Sequence, residues 1–436
     1  MRWYLGALLI LVLGLVFDLG LLVYAMYALL GVMLVSRYLS RQWIENLSAT
    51  RECNRLTAQL GDTVAVVVTI GNQGGLPVPW ILLEDSLPRD ALIQRPPRIK
   101  VDGRRFGIMQ LGIGGQKSLL YQITFRMRGY YQIGPLLLES GDLFGLHRRY
   151  RIVTEPRYVL VYPRVVPLDN YNISSRRPIG EVRMAHRLFE DPTRISGVRP
   201  YQQGDALNRI HWRATARTGE LHSKTYEPSS IAGATFLLDF HRDVYDARGE
   251  PHRSDLAVTA VASLANAVYH MGQQIGLVTN ARDAADRIRE EGFRREFRNR
   301  SAAREGVGMS ECSERLRPVV LEAGRGAAQF QQIIEMLARL ELTDGLSFPQ
   351  LVSETSSRMP RDASIVAVLP DVPEETALTL GNLRRQGFAV TAIVIVYDDV
   401  QYSNCAARLL AEGLVVRRLE NEATLSQMCS EQLVGM

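Results

Sequence analysis

Residues 181–227 concentrate the side chains best equipped to bind or react. Arg183, Arg187, Arg194, Arg199, Arg209, Arg213, Arg217 and Lys224 are interleaved with His186, His211, His222, Tyr201, Trp212 and Tyr226. A segment of this kind can bind an anion or an acidic partner. Docking onto carboxylates of a neighbouring domain is the structural alternative. Asp205 is of the right type to cap a short helix running through Trp212. On that helix Arg209 and Arg213, four apart, share a face, and Ile210 and Trp212 turn towards a packed domain. His211 has the chemistry of a ligand or a base. No Cys, His or Glu stands at a ligand spacing from it, which favours a packed or hydrogen-bonded histidine. Tyr201, Trp212 and Tyr226 permit base stacking without requiring it.

A second set of polar side chains falls where apolar runs end. Such runs close at Asp239 and at Pro370-Asp371, and a further loop carries Thr343 and Asp344. In an open α/β sheet, ligands bind at the carboxyl ends of the strands. Carboxylates and a hydroxyl converging there suit a hard cation such as Mg²⁺. The chain has no glycine-rich phosphate loop, which argues against nucleotide hydrolysis. No spacing specifies a nucleophile, so an enzyme is not expected. A hydrolase using His211 and a carboxylate is the alternative.

The elements that must position these groups follow from hydrophobic patterning. Ala234 to Leu238, Ile275 to Val278, Ile365 to Leu369, Val390 to Val396 and Leu414 to Val416 read as short buried strands. Helical stretches alternate with them: Ser254 to about Met271, residues 327–340, and Glu374 to Gln386. In the first, Leu256, Ala260, Leu264 and Val268 form one buried stripe. The alternation predicts a parallel, doubly wound α/β sheet over 233–436. Residues 281–320, rich in Arg and Glu, read as a solvated insertion. Residues 50–165 read as an all-β sandwich, with Val64, Val66, Val68 and Ile70 alternating between turn clusters. Asp85, Asp90 and Asp142 read as turn residues there. Residues 166–232 form an arginine-rich connection.

Residues 3–35 are almost entirely apolar, and Asp18 is the only formal charge between Arg2 and Arg37. The runs 3–17 and 19–35 are each short of the roughly 20 residues that a full span needs. A carboxylate is expensive at the bilayer centre and meets water or headgroups at a hairpin tip. That favours a transmembrane helical hairpin over 1–40 above a single tilted helix. Arg2, Arg37 and Arg41 flank the apolar part, and positive flanks stay cytoplasmic. A hairpin therefore places the soluble domains in the cytoplasm. A cleaved signal peptide needs a small-x-small site, and Phe17-Asp18-Leu19-Gly20 supplies none.

The chain has 436 residues, 46% hydrophobic and 22% charged, with a net charge of +5. This is globular composition, with room for several domains. The basic charge is carried almost wholly by arginine, since Lys100, Lys117 and Lys224 are the only lysines. It is interleaved with Asp and Glu, so nucleic acid is not the expected partner. Cys53, Cys312, Cys405 and Cys429 form no Cys-x-x-Cys pair, which excludes a zinc ribbon.

The order Arg199, Tyr201, Gly204-Asp205, Arg209-Ile210-His211-Trp212, Ala214, Ala216-Arg217, Lys224, Tyr226-Glu227 resembles the motif of the bacterial proteins grouped as domain of unknown function family 58 (YeaD-like). The apolar N-terminus, the stretch from Arg128-Gly129-Tyr130 to Gly145 and the α/β half are also similar to that family. The resemblance implies a C-terminal domain like von Willebrand factor type A. It further implies a membrane-anchored adaptor, in the bacterial inner membrane, that partners an AAA+ ATPase of MoxR type. Arg199, Tyr201, Gly204, Asp205, Arg209, His211, Trp212, Arg217 and Lys224 are its expected binding residues. Type A domains hold Mg²⁺ with an Asp-x-Ser-x-Ser loop, a Thr and an Asp. At that loop this chain reads Asp239-Phe240-His241-Arg242-Asp243, so the implied metal ligands are Asp239, Asp243, Thr343 and Asp371. The alternative to an adaptor, besides a hydrolase, is binding of anionic lipid or nucleic acid through the arginines.

Overall fold

The computed structural model describes residues 2–142, 145, 147–168, 190–201, 210–228, 233–246, 248–286, 316–360 and 363–425. The chain divides into two compact units. The first holds Met1–Arg164, Arg282–Arg315 and Ile334–Asp344; the second holds Val165–Ala281, Leu316–Ile333 and Gly345–Met436.

Two helices open the first unit, α1 (Arg2–Val16) and α2 (Gly20–Glu45), and they touch one another. Between them Asp18 takes a φ of 55°, a left-handed conformation that a short polar side chain tolerates and a helix does not. Among the described residues α2 alone is long and apolar enough to cross a membrane, and α1 is a shorter apolar helix. The helix does not stop where its apolar run ends. It continues to Glu45 and buries Ser36, Ser40, Trp43 and Ile44.

Strands β1 (Leu47–Cys53), β2 (Thr57–Ala58), β3 (Thr63–Asn72) and β4 (Val78–Asp85) follow, then a short helix α3 (Arg89–Ile93). After it come β5 (Ile99–Gly103), β6 (Phe106–Leu111), β7 (Gln116–Phe125), β8 (Gly129–Ile133), β9 (Leu136–Gly141), β10 (Arg148–Thr154) and β11 (Arg157–Val161). Antiparallel sheets of order β1-β3-β7-β5 and β10-β9-β4-β6 are joined by a third, β2-β11-β8. One core serves them. Alternation along β3 buries Val64, Val66, Val68 and Ile70, which cluster with Ile81 and Leu83 of β4, Tyr121, Ile123 and Phe125 of β7, and Leu136 and Leu138 of β9. This is the sandwich that the alternation predicts, and the end of α2 lies against β9 and β10.

Asp142 is a turn residue as expected, accepting a hydrogen bond from the backbone of His147 at 2.5 Å. Asp85 is not. It is fully buried at the end of β4, where Arg51 Nε donates to it at 3.0 Å and the Tyr121 hydroxyl at 2.6 Å, while a second guanidinium nitrogen closes the ion pair. Gly134 makes room for this group: at φ 92° any Cβ would sit 2.4 Å from the Arg51 guanidinium.

In the second unit β12 (Glu190–Pro200) pairs antiparallel with β13 (His222–Pro228), and helix α4 (Trp212–Thr218) falls between them in sequence. A six-stranded sheet follows, built from β14 (Gly233–Leu238), β15 (Gln274–Thr279), β17 (Val319–Gly324), β19 (Ser364–Leu369), β20 (Val390–Ile395) and β21 (Val415–Leu419). Helices α5 (His252–His270), α6 (Ala327–Arg339), α7 (Phe348–Thr355), α8 (Glu374–Arg385) and α9 (Asp399–Ala411) connect these strands, and the division between the units passes through α6. The sheet order is β17-β15-β14-β19-β20-β21. Counted within the sheet this is 3-2-1-4-5-6, the doubly wound order, with its switch point between β14 and β19.

Two expectations are corrected. The sheet is parallel except at one edge, where β17 runs antiparallel to β15, a common arrangement for the edge of an otherwise parallel sheet. This strand begins inside the span read as solvated. Arg282 and Asp283, at the other end of that span, are buried. They form β16 (Arg282–Asp283), paired with β18 (Leu340–Glu341), and Asp283 faces Arg339 Nε at 3.4 Å. Residues 287–315 of that span lie outside the described residues.

Candidate functional site

The arginine-rich motif is built on the β12–β13 ribbon. Arg199 pairs in register with Ser223, and Val198 with Lys224; the Tyr201 backbone donates to Leu221 O at 2.8 Å. Gly204, Asp205 and Arg209 lie outside the described residues. The expected helix through Trp212 instead begins there, and its cap is His211. The imidazole Nδ1 of His211 accepts from Ala214 N at 3.0 Å, while its own backbone donates to His222 O at 2.8 Å. His211 is thus a hydrogen-bonded cap, which satisfies one of the free N–H groups of the first turn. Gly219 ends the helix in the left-handed conformation, φ 79°, its N–H donating to Thr215 O.

The motif leaves Trp212 in the open. Ile210 is buried, but Trp212 is 68% exposed, against the expectation that both would face a packed domain. Arg213 and Arg217, four apart on α4, are exposed with it. Arg217 stands in the last turn, where a cation complements the helix dipole. Arg199 and Lys224 are half-buried on the ribbon. α4 thus leaves one indole and two guanidinium groups in the open.

The second candidate lies at the switch point. Asp239 follows β14 and is 2% exposed. It lines a cavity of about 110 Å³ with His241, Ser347, Phe348, Glu375 and Thr376. Its Oδ1 accepts from Asn280 Nδ2 at 2.9 Å and from His241 N at 3.1 Å. Burial raises the Asp239 pKa above the usual carboxylate range; these two hydrogen bonds oppose the rise, and the Asp371 charge adds to it.

The implied metal ligands are not gathered around this cavity. Asp243 is exposed, and neither it nor Asp371 lines the cavity. Asp371 Oδ1 accepts from Val372 N at 2.8 Å and from Cys405 Sγ at 3.3 Å. Burial and that carboxylate push the Cys405 thiol up to about 11. Thr343 is buried and falls in the first unit. Among the described residues no three His, Cys, Asp or Glu side chains are grouped to hold a metal ion. The N-terminal ends of α7 and α8 line the cavity through Ser347, Phe348, Glu375 and Thr376. Each such end carries about half a positive charge, which opposes a divalent cation. These residues do not fit Mg²⁺.

Two residues that organise this end of the sheet have no signal in the sequence. Asn280, just after β15, bonds Asp239, donates to Leu346 O at 2.9 Å and accepts from Phe240 N at 2.7 Å, tying three loops together. Arg253, buried in the first turn of α5, donates to Pro370 O at 2.8 Å and Ile395 O at 2.7 Å. Both act across strand neighbours that are far apart in the chain.

Residues 197–299 match the family described as "Protein of unknown function DUF58". Over 255 residues the chain is 23% identical to the uncharacterized protein YeaD of Bacillus subtilis (strain 168), which covers 58% of this chain. The aligned part spans 61% of that curated relative. Both matches support the resemblance carried by Arg199 to Glu227. Similar solved structures include the CARDB domain of a Pyrococcus furiosus protein, 15% identical over 26% of this chain and 91% of that one, with a TM-score of 0.18. The pilus adhesin SpaC of Lactobacillus rhamnosus GG is 11% identical over 47% of this chain and 30% of its own, with a TM-score of 0.33. Scores this low define no shared fold.

Proposed function

We propose that this chain is a membrane-anchored interaction protein that presents α4 and the β12–β13 ribbon to an acidic partner. The carrying observation is Trp212, 68% exposed at the start of a capped helix that also carries Arg213 and Arg217 in the open. Trp and Arg dominate the residues that hold protein interfaces together. A large indole left in water on a helix that also exposes two guanidinium groups is the composition of an interface. The partner that fits the family resemblance is an AAA+ ATPase of MoxR type.

The apolar length of α2 supports anchoring. We read α1 and α2 as a hairpin turning at Asp18 in a bacterial inner membrane, with Arg2, Arg37 and Arg41 keeping the rest of the chain cytoplasmic. The doubly wound sheet with a buried carboxylate at its switch point supports a von Willebrand factor type A-like reading of the second unit. The cavity chemistry makes that a domain working without a resident cation.

Affinity capture from membranes in mild detergent, with and without Mg²⁺, tests the reading. Mass spectrometry of the captured material is expected to recover an AAA+ ATPase with the wild-type chain, equally with or without the cation. Trp212→Ala combined with Arg213→Glu changes only exposed positions and is expected to cut recovery at least tenfold, the equivalent of about 1.4 kcal/mol. Equal recovery with the variant sinks the docking surface, and no ATPase in any sample sinks the partner.

A further inference from the structure

We propose that strand β10 and the end of α2 form a basic collar that binds the phosphate headgroups of anionic glycerophospholipids and seats the sandwich on the membrane surface. The inference rests on the membrane anchoring read above. Arg37 is the first charged residue after Asp18. It lies about 26 Å along α2 from Gly20 at 1.5 Å per residue, close to the roughly 30 Å depth of a hydrocarbon core. The helix therefore leaves the apolar layer near Ser36 and Arg37. Tyr38, 60% exposed, follows at the level where interfacial aromatic residues gather.

Contacts at two levels fix β10 beside this part of α2. The Ser36 hydroxyl and His147 Nδ1 share a hydrogen bond of 3.1 Å. Arg151 donates to Ile44 O at 3.1 Å and to Glu45 O at 2.7 Å. Ser36 to Ile44 is about 12 Å along a helix, and His147 to Arg151 is about 13 Å along a strand. The two spans agree, so β10 runs beside α2 in the same direction, away from the apolar layer. Arg148 and Arg149 then stand within about 7 Å of the Ser36 level, and Arg37 and Arg41 within about 8 Å of it. The headgroup region on each side of a bilayer is about 5–7 Å deep. Four arginines, from segments far apart in the chain, are thus brought to that layer.

Charge complementarity names the occupant. Residues 36–45 and 139–151 carry Arg37, Arg41, Arg148, Arg149 and Arg151 against Glu45, Glu139 and Asp142. Asp142 is buried and accepts from the His147 backbone. Arg41 pairs with Glu45 at 2.8 Å and Arg148 with Glu139 at 3.5 Å, yet both arginine side chains stay 63% exposed, and such open pairs are weak. Arg149, on the same face of β10 as Arg151, has no ion pair among the described residues. The positive excess lies on the cytoplasmic side in the hairpin reading, where the leaflet surface is negative. Guanidinium groups match phosphate oxygens in shape as well as charge.

The test uses the full chain in mixed vesicles of phosphatidylethanolamine and phosphatidylglycerol. Flotation reads anchoring. Extraction in mild detergent followed by native mass spectrometry reads the ratio of the two lipids kept by the protein. Wild type is expected to float and to keep phosphatidylglycerol in excess of its share. An arginine near an anionic surface is worth about 1 kcal/mol, so Arg148→Gln with Arg149→Gln is expected to cut that excess at least fivefold. Arg148→Lys with Arg149→Lys keeps the charge and is expected to keep most of the excess. Arg213→Gln with Arg217→Gln, on α4, removes the same charge elsewhere and is expected to change nothing. No excess in wild type, or an equal excess with glutamine at 148 and 149, overturns the collar and leaves the anchor. Loss with lysine, or an equal loss with the α4 variant, assigns the effect to lost structure or to net charge and overturns the collar as well. Protein that fails to float overturns both.

Discussion

Asp239 sits where its charge is poorly solvated, and the hydrogen bonds from Asn280 and the His241 backbone offset that burial only in part. With its folded pKa raised, the native state holds the proton more tightly than the unfolded chain does. The carboxyl then favours folding most below its unfolded value of about 3.9, and this contribution is lost as pH rises through the folded value. Asp239→Asn keeps an oxygen to accept both bonds and removes the charge. We expect it to melt above wild type at pH 7 and level with it near pH 3, in thermal unfolding at the two pH values. A lower Tm at pH 7 would mean that a bound cation balances the carboxylate. Asp85 presents the opposite case. Its buried charge is fully met by Arg51 and Tyr121, and removing one partner from such a group typically costs about 3–5 kcal/mol. Burial and the adjacent Asp85 carboxylate hold the Tyr121 pKa above its usual range, so the contribution of its protonated hydroxyl is full below the unfolded value of about 10 and is lost as pH rises beyond it.

At the scale of elements, α4 depends on its ends. Seven residues form few internal hydrogen bonds, and a helix so short is marginal in isolation. His211 and Gly219 supply the caps. His211→Ala is expected to weaken the helix by about 1 kcal/mol, whereas His211→Asn, a good cap in its own right, keeps most of it. Amide exchange at Thr215 to Gly219 reads the difference: faster for Ala and near wild type for Asn. Equal protection in all three would show that the ribbon alone holds the helix. The edge strand β17 shows how patterning misleads. Its burial alternates weakly, because only one neighbour covers it, so its first two residues read from sequence as the end of a polar insertion and the rest as no element. The central strands β14, β19 and β20 are buried almost along their length and are unmistakable as apolar runs.

For the whole molecule, the hairpin reading makes a topological claim. With both flanks of the apolar part basic, the two chain ends share one side of the membrane. Epitope tags at the N-terminus and the C-terminus are expected to resist protease added to intact spheroplasts and to be cleaved after lysis. Cleavage of the N-terminal tag alone in intact cells would replace the hairpin by a single span. The apolar helix α2 also runs on into folded protein, since it carries Trp43 into the sandwich core and buries Ile44.

What could be read along the chain depends on neighbours a few residues apart. The apolar run before Arg37, the alternation of β3 and the strand–helix alternation after Gly233 are all local patterns, and they mark an apolar helix, a strand and an α/β sheet. Which groups meet is a matter of strand order and loop reach. Arg51 finds Asp85 and Tyr121 because β1, β4 and β7 bury one core between two sheets. Asn280 finds Asp239 because β14 and β15 are adjacent and parallel, which brings their carboxyl ends together. His211 can cap α4 because the His211 backbone is bound to that of His222 across the ribbon. Burial periodicity is imposed residue by residue by water, so it is written in the sequence. Polar partnerships form between segments that only the packed fold brings within 3 Å, and no spacing along the chain records them.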